Sequence, residues 1–477
     1  MNQEDSMKSE ISLYEYLYQL LLSQLHCGIL RYGQSLPSQT ELCRKYNVGI
    51  TTIRRVVHML EEDGYIKTGK RRRSVVTYQV DTETYIHSLL QKKQMVLDVF
   101  DGFKLILPVL QLEGARQYSD LETLEKLVSG IHSSMEEHEL YTRASHFFME
   151  LLSPFDNQVM YDLHTDSVNF TYLPYLPVSE LDITCSITPE LIQTSLMSIL
   201  DSLRMKDYKT LELRLNEIYD YGRDHAKDYM NAIESCCTCS EPESPVPDYL
   251  PKNRAFLYTV IARLLYRRIQ DGEFDHCKYI PSIPDLMKEY SISQVTAFHA
   301  VDLLNDIGVV QTIDKKGTVI AAPQSEPSPL RIDQTAIHQN LSLFLDSLQI
   351  LMLCSRPLAS AVLSELKAQD IREVLSVWEQ MDLTSSGSIV RTVLKFLKDY
   401  APQKCLCTLF EQMDYLLIWG HYLQRDLSQI REIDDRIPQC FPLLCDALSS
   451  QNIPLFSDYV HNIFTSAYEM SRKLMLS

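Results

Sequence analysis

A mainly α chain, built as head, helical body, head, helical body, is what this sequence of 477 residues predicts. Three observations carry that expectation. Apolar residues recur at helical spacing through most of the chain, glycine numbers only 14, and a capping frame near the N-terminus returns 244 residues further on. Length alone asks for roughly two to four domains. With 45% hydrophobic and 23% charged residues, the composition is that of a globular chain that buries its own core.

The first head opens with an amphipathic helix over residues 13 to 30, on which Leu13, Leu17, Leu20, Leu21 and Leu25 share one face and Gly28 is the stop. Ser38-Gln39-Thr40-Glu41 has the form of a capping box, so a second short helix starts there and runs to about Tyr46. A turn through Asn47 and Gly49 leads into a third helix, residues 50 to 63. Its apolar positions Ile53, Val56, Val57 and Leu60 face the first two helices, and Gly64 ends it. Tyr65-Ile66 and Ser74 to Tyr78 read as a hairpin around the basic turn Gly69-Lys70-Arg71-Arg72-Arg73. Three helices and a hairpin make a winged helix-turn-helix.

Helical periodicity then continues from Asp81 to near Cys236, and residues 241 to 251 form a proline-rich linker. After it the frame restarts. Pro281-Ser282 stands 244 residues after Pro37-Ser38, and the same offset pairs Gly28 with Gly272, Leu42 with Leu286, Tyr46 with Tyr290, Thr52 with Thr296, Leu60 with Leu304 and Gly64 with Gly308. Ser74-Val75-Val76 falls on Thr318-Val319-Ile320 without a gap. Caps, turns and core positions in one register mean internal duplication. A second linker at 323 to 329 hands over to another helical segment, in which Asp446-Ala447-Leu448 echoes Asp201-Ser202-Leu203 and Pro402 echoes Pro154. The expected domains are a winged helix-turn-helix at 1–80, a helical effector or dimerisation domain at 81–240, a degenerate winged helix-turn-helix at 252–322 and a second helical domain at 330–477.

Charge separates the two heads. The whole chain carries a formal −18, which by itself disfavours a polyanionic partner. Residues 11 to 80 run the other way, with ten basic residues against five acidic ones. Thr51, Thr52, Arg54 and Arg55 stand at the start of the third helix, where base edges are read. Ser38, Gln39 and Thr40 open the second helix, where backbone donors meet phosphates, and Lys70, Arg71, Arg72 and Arg73 form the wing. In the second head Phe298 replaces Arg54, His299 replaces Arg55, and residues 256 to 322 hold seven basic against eight acidic residues. That head is expected to bind DNA poorly.

The first head resembles the GntR family of bacterial transcription regulators. The residues that carry the likeness are Gly28-Ile29-Leu30, Gly33, Leu36-Pro37-Ser38, Glu41-Leu42, Tyr46-Asn47-Val48, Thr52-Ile53-Arg54, Leu60, Glu62 and Gly64. The likeness covers about seventy residues in each head. The helical bodies are similar in class to the family's all-helical effector domains, those of the fatty-acid-responsive regulators and their relatives. Family members often place Ser-Arg before the recognition helix, where this chain has Gly49-Ile50. Many such effector domains hold a metal through an acid and three histidines; the corresponding positions here fall near Ala144, Phe148, Leu196 and Ile218, so no metal and no cofactor are expected. His132, His138, His146 and His164 read as surface or satisfied core residues, and Tyr161, Tyr172 and Tyr175 as candidates to line a pocket, although aromatic residues at helical spacing are usually core.

The resemblance implies a transcription regulator with double-stranded DNA as partner, a small-molecule effector in the helical domains, and a pseudo-dimeric chain that further homodimerises. The alternative is a protein-interaction or ligand-sensing scaffold with relic heads. No catalytic residues are expected: Gly28 to Gly33 has the glycine spacing of a phosphate loop without its lysine, and no GxSxG, HExxH or dinucleotide fingerprint occurs. MNQEDSMKSE is not a signal peptide, and no unbroken apolar run reaches membrane-spanning length, so the expected location is cytoplasmic. Twelve cysteines are then expected as reduced thiols.

Overall fold

A computed structural model describes residues 13–26, 30–46, 48–69, 73–79, 81–135, 137–173, 187–236, 256–270, 272–274, 276, 279–290, 292–321, 334–381, 383, 385–425 and 436–476. The linkers at 241–251 and 323–329, and the wing residues Lys70, Arg71 and Arg72, lie outside them. The chain divides into two units at Lys252 and Asn253, apart from Gln403–Cys405, which groups with the first. Both units are mainly helical, each with one small sheet among the described residues.

The first head consists of α1 (Leu13–His26), α2 (Gln39–Tyr46), α3 (Ile50–Glu62), β1 (Ile66–Lys67) and β2 (Val75–Val76). The expected stop of α1 at Gly28 lies outside the described residues, and Asp63 closes α3. Gly64 follows at φ +80°, a left-handed conformation that costs glycine little. The hairpin gains an edge that periodicity does not show: the Leu36 amide donates to the Ser74 carbonyl, and the Val76 amide donates to the Gln34 carbonyl. Leu17, Leu21, Ile53, Val56, Leu60 and Val76 meet in one buried cluster.

The first body follows with α4 (Thr82–Lys104), α5 (Leu107–Ala115), α6 (Leu121–Ser129), α7 (Glu137–Leu152), α8 (Gln158–Thr171), α9 (Pro189–Arg204) and α10 (Tyr208–Cys236). Asp81, Asp120, Asn157 and Thr188 cap α4, α6, α8 and α9 with their side chains. His164 on α8 is only 3% exposed, and burial pushes its pKa down to about 4.

In the second unit the head repeats at the offset read from the sequence. α11 (Leu257–Gln270) and α13 (Gln294–Asp306) lie 244 residues after α1 and α3 at both ends, and α12 (Ile283–Glu289) follows α2 in the same register. β3 (Val310–Ile313) and β4 (Gly317–Ile320) form the wing, and Gly308 takes φ +75° as Gly64 does +80°. The body then runs through α14 (Gln334–Glu365), α15 (Ala368–Glu379), α16 (Ser386–Asp399), α17 (Lys404–Leu416), α18 (Trp419–Arg425), α19 (Arg436–Ser449) and α20 (Ile453–Leu476).

The echo between Asp201-Ser202-Leu203 and Asp446-Ala447-Leu448 marks the same turn in both bodies. Lys206 and Gln451 both adopt positive φ, +54° and +52°, and Asp207 and Asn452 then accept amides of the next helix, from Thr210 and Leu455. Averaging over turns of helix changes one expectation: α14 is long and apolar enough to cross a membrane by length and composition, although no unbroken apolar run is. Of its most apolar 18-residue window, 56% is buried in the protein, where it packs on α20. Cys405 and Cys407 form no disulfide among the described residues.

One buried ion pair ties the second head to its body. The Arg263 guanidinium on α11 donates to Asp414 of α17 at 2.8 Å, with side chains 5% and 10% exposed, and Arg267 pairs with the same carboxylate. Removing one partner of such a pair leaves a charge in low dielectric, at a cost of about 3–5 kcal/mol. Asp414→Asn is therefore expected to lower the unfolding free energy of the second unit by about that amount, measured by urea titration of the whole chain; a loss under about 1 kcal/mol would show that the pair is not structural.

His164 sets a pH dependence. Its folded pKa lies below the unfolded value, so the stability it contributes is complete above about pH 6.5 and is lost as pH falls towards 4, by up to about 1.4 kcal/mol per pH unit. Urea midpoints at pH 7, 6 and 5 should fall more steeply for the native chain than for His164→Phe.

Candidate nucleic-acid interface

The exposed face of α3 is set by the same period that buries its core. With Ile53, Val56, Val57 and Leu60 turned inward, Thr51, Arg54 and Arg55 are exposed on the opposite side and Thr52 lies at the edge. No described residue holds Arg54 by a hydrogen bond or ion pair, so its guanidinium is available to a base edge. Arg55 is different. Its guanidinium carbon sits 3.4 Å from the ring centre of Tyr14 on α1, and the Tyr14 hydroxyl donates to Glu15 at 3.2 Å. A stacked guanidinium loses less freedom when it meets a second partner.

Sequence reasoning missed Tyr14. Its signal was present, because the tyrosine recurs as Tyr258 at the 244-residue offset. There its ring meets His299 edge-on, with centroids 5.6 Å apart. Both heads keep the aromatic platform, and only the group resting on it changes, from guanidinium to imidazole.

At the start of α2 the capping box is formed. The Ser38 amide donates to Glu41 Oε2 at 2.6 Å, and the Glu41 amide donates to Ser38 Oγ at 3.2 Å. Ser38 thus spends its amide on the cap, while Gln39 and Thr40 present first-turn amides that have no acceptor within the helix. Glu41 also pairs with Arg73 across 3.3 Å, which ties the described end of the wing to α2. Gly49 stands at the N-cap of α3 and offers no side-chain cap.

The second head has the same scaffold and a different surface. Ser293 caps α13 by accepting the Thr296 amide at 3.1 Å, where α3 is left open. Val295 and Phe298, at the positions of Thr51 and Arg54, are 62% and 47% exposed. Its arginines face inward: Arg263 and Arg267 hold Asp414, and Arg268 holds Glu273 and Glu289 at 2.6 and 2.7 Å. Lys288, Lys315 and Lys316 remain on the described surface.

Under the first head lies a cavity of about 670 Å³, bounded by Leu21, Leu42 and Tyr46 of the head and by Tyr141, Asn169 and Tyr172 of the body. The Asn169 amide nitrogen is buried there with no partner among the described residues. Tyr172 borders this cavity, in line with the pocket reading of the tyrosines, and Tyr175 lies outside the described residues.

A family model described as bacterial regulatory proteins, gntR family, matches residues 13–76 and 257–320, two segments again 244 residues apart. Over 117 residues the chain is 28% identical to the uncharacterized HTH-type transcriptional regulator YurK of Bacillus subtilis, covering 22% of this chain and 48% of that protein. Over 54 residues it is 39% identical to the probable fructoselysine utilization operon transcriptional repressor of Escherichia coli, covering 11% of this chain and 22% of the other. The chain thus spans about half or less of the length of these relatives. Among solved structures, Streptococcus agalactiae GntR is similar at 19% identity with a TM-score of 0.22, over 44% of this chain and 98% of that one. E. coli McbR/YncC is similar at 14% identity with a TM-score of 0.24, over 47% and 99%.

The geometry ranks the two arginines. In gel shifts on duplex DNA, Arg54→Ala is expected to cost about 1–3 kcal/mol of affinity. Tyr14→Leu, which removes only the platform under Arg55, should cost about 0.5–1 kcal/mol, and nothing further in an Arg55→Ala background. Full additivity of those two substitutions would show that the platform does not act through Arg55.

Proposed function

We propose that this chain, which carries two gntR-family winged helix-turn-helix domains in tandem, is a DNA-binding transcription regulator whose first head reads an operator half-site. One observation carries the reading: two heads built on one frame differ where duplex DNA would be touched. Thr51, Arg54 and Arg55 face outward in the first, and Val295, Phe298 and His299 take their places in the second.

In this reading Arg54 and Arg55, with Thr51 and Thr52, meet base edges in the major groove. Gln39 and Thr40 present α2 to a phosphate, Ser38 shapes that helix start, and Lys70 to Arg73 follow the backbone from the wing. The domains are 1–80, 81–240, 252–322 and 330–477. One polypeptide supplies a single reading head, and two chains together present two such heads to a palindrome. The protein works in the cytoplasm. The E. coli relative bears a repressor's name, and repression is the mode we propose here.

The helical bodies take a small-molecule effector. Supporting this is the cavity beneath the first head, where a bound molecule would touch α1 and α2 on one side and α7 and α8 on the other. Occupancy then shifts the head only as far as the ligand prefers one head position over another.

Selection of bound DNA from a random library, with the whole chain, tests the reading directly, and enrichment of a two-fold symmetric site is expected. Neutralising Arg71, Arg72 and Arg73 should lower the salt slope of binding by roughly 0.9 for each phosphate that they no longer neutralise, while neutralising Lys315 and Lys316 should leave it nearly unchanged. Salt-independent binding, or no enriched site, would refute the assignment.

A further inference from the structure

We propose that the second body binds a short aliphatic monocarboxylate, with its carboxylate against the Arg391 guanidinium and its alkyl end among apolar side chains. Such a site lies in the second unit and is independent of DNA binding by the first head. It is a cavity of about 50 Å³ within the helices of the second body. Phe344, Leu348, Val390, Ile437 and Met470 give it apolar walls. It has space for roughly three to five water-sized groups, the span from acetate to butyrate.

Charge balance points to an anion. Three guanidiniums gather where the second head meets its body, and the one carboxylate among them, Asp414, is held by Arg263 and Arg267. Arg263 and Arg391 lie over the same Tyr266 ring, with guanidinium carbons 5.6 and 5.3 Å from its centre. What meets Arg391 is neutral: its Nε donates to the Gly387 carbonyl at 3.1 Å, one Nη donates to Gln270 Oε1 at 3.4 Å, and the third neighbour is Tyr266. Arg391 forms no ion pair among the described residues. Burial, and then the charge of Arg263, push its pKa below the ordinary arginine value. A guanidinium so placed has lost water without gaining a counter-charge, and a bound anion offsets that cost.

The guanidinium stands at the edge of the cavity. Its Nε is bonded to Gly387, a wall residue, and the Tyr266 ring beside it meets His421, another wall residue, with ring centroids 4.9 Å apart. The Nη that neither Gly387 nor Gln270 takes is not enclosed, so a carboxylate can reach it. Burial, with the charges of Arg391 and Arg263, pushes the His421 pKa down to about 3, so that ring is neutral near pH 7 and Arg391 carries the formal charge of the wall. No Asp or Glu is among the described lining residues, so an ammonium ion would find no counter-charge there. The apolar walls favour a ligand with an alkyl end over a bare inorganic anion, which would leave them uncovered. Gln270 belongs to α11 of the head and Arg391 to α16 of the body, so the carboxylate would offset charge where the head is seated.

Calorimetric titration of the full chain with sodium butyrate, sodium acetate, sodium chloride, n-butanol and n-butylamine tests the assignment. Butyrate should bind, and acetate about tenfold more weakly for want of two buried methylenes. Chloride, n-butanol and n-butylamine should not bind measurably, since each lacks either the tail or the negative charge. Arg391→Gln should abolish butyrate binding. Ala467→Leu, which reaches into the cavity from α20 and keeps Arg391, should remove the preference for butyrate over acetate, and it serves if the first variant fails to fold. Because only the folded chain has the site, the urea midpoint should rise with butyrate concentration in the native chain and stay fixed in Arg391→Gln. Chloride or n-butanol binding as tightly as butyrate, butyrate binding unchanged in Arg391→Gln, or the butyrate preference unchanged in Ala467→Leu would overturn the proposal.

Discussion

A helix of 3.6 residues per turn cannot offer one residue to both the core and a partner, and everything particular to the two heads follows from that constraint on α3 and α13. The inward positions Ile53, Val56, Val57 and Leu60 return as Ala297, Ala300, Val301 and Leu304, all buried. The outward positions obey no packing rule. Arginine at 54 and phenylalanine at 298 fill no place in the core, and Arg55 and His299 touch only the tyrosine at the rim of their own head. One scaffold therefore carries two surfaces of opposite character, and the difference between them reports what each surface does.

Much of the fold was legible because it is local. The caps at Ser38 and Ser282, the glycines at 64 and 308, and the helical spacing of leucines act over a few residues, and the 244-residue repeat made each reading twice testable. The paired turns at Lys206 and Gln451 were legible for the same reason, through the short echo that precedes them. What escaped depends on residues far apart in the chain. No pattern near Arg263 announces Asp414, 151 positions away, and no spacing shows that residues 34 to 36 join the wing through a bridge at Ser35.

The same limit explains the candidate site. Arg54, Arg55 and Thr51 were found as outward positions of a helix, which a sequence shows. Tyr14 under Arg55 is a contact between helices, which it does not show, although its recurrence as Tyr258 was in plain view. His164 was read as a surface or satisfied core histidine. Only three-dimensional packing shows that one of its nitrogens is satisfied by Ser145 while the other is buried with no partner among the described residues.

The two heads also differ in how each is seated on its own body. In the second unit Arg263, Arg267 and Asp414 form a buried ion pair, and the Asn340 amide donates to Tyr258 at 2.8 Å, so α11 is held by charge and hydrogen bonds to α17 and α14. Gln19 and Ser23 stand at the corresponding positions of α1, and no such charge anchor is encoded there. The first head instead rests beside a cavity of about 670 Å³. Moving a head away from a buried ion pair strands a charge, whereas moving one across a cavity exchanges apolar contacts of smaller individual worth. The head that keeps its arginines is thus the one whose position a bound molecule would shift at least cost, and the head that lost them is fixed to its body. The proposed regulation needs only the first head to move.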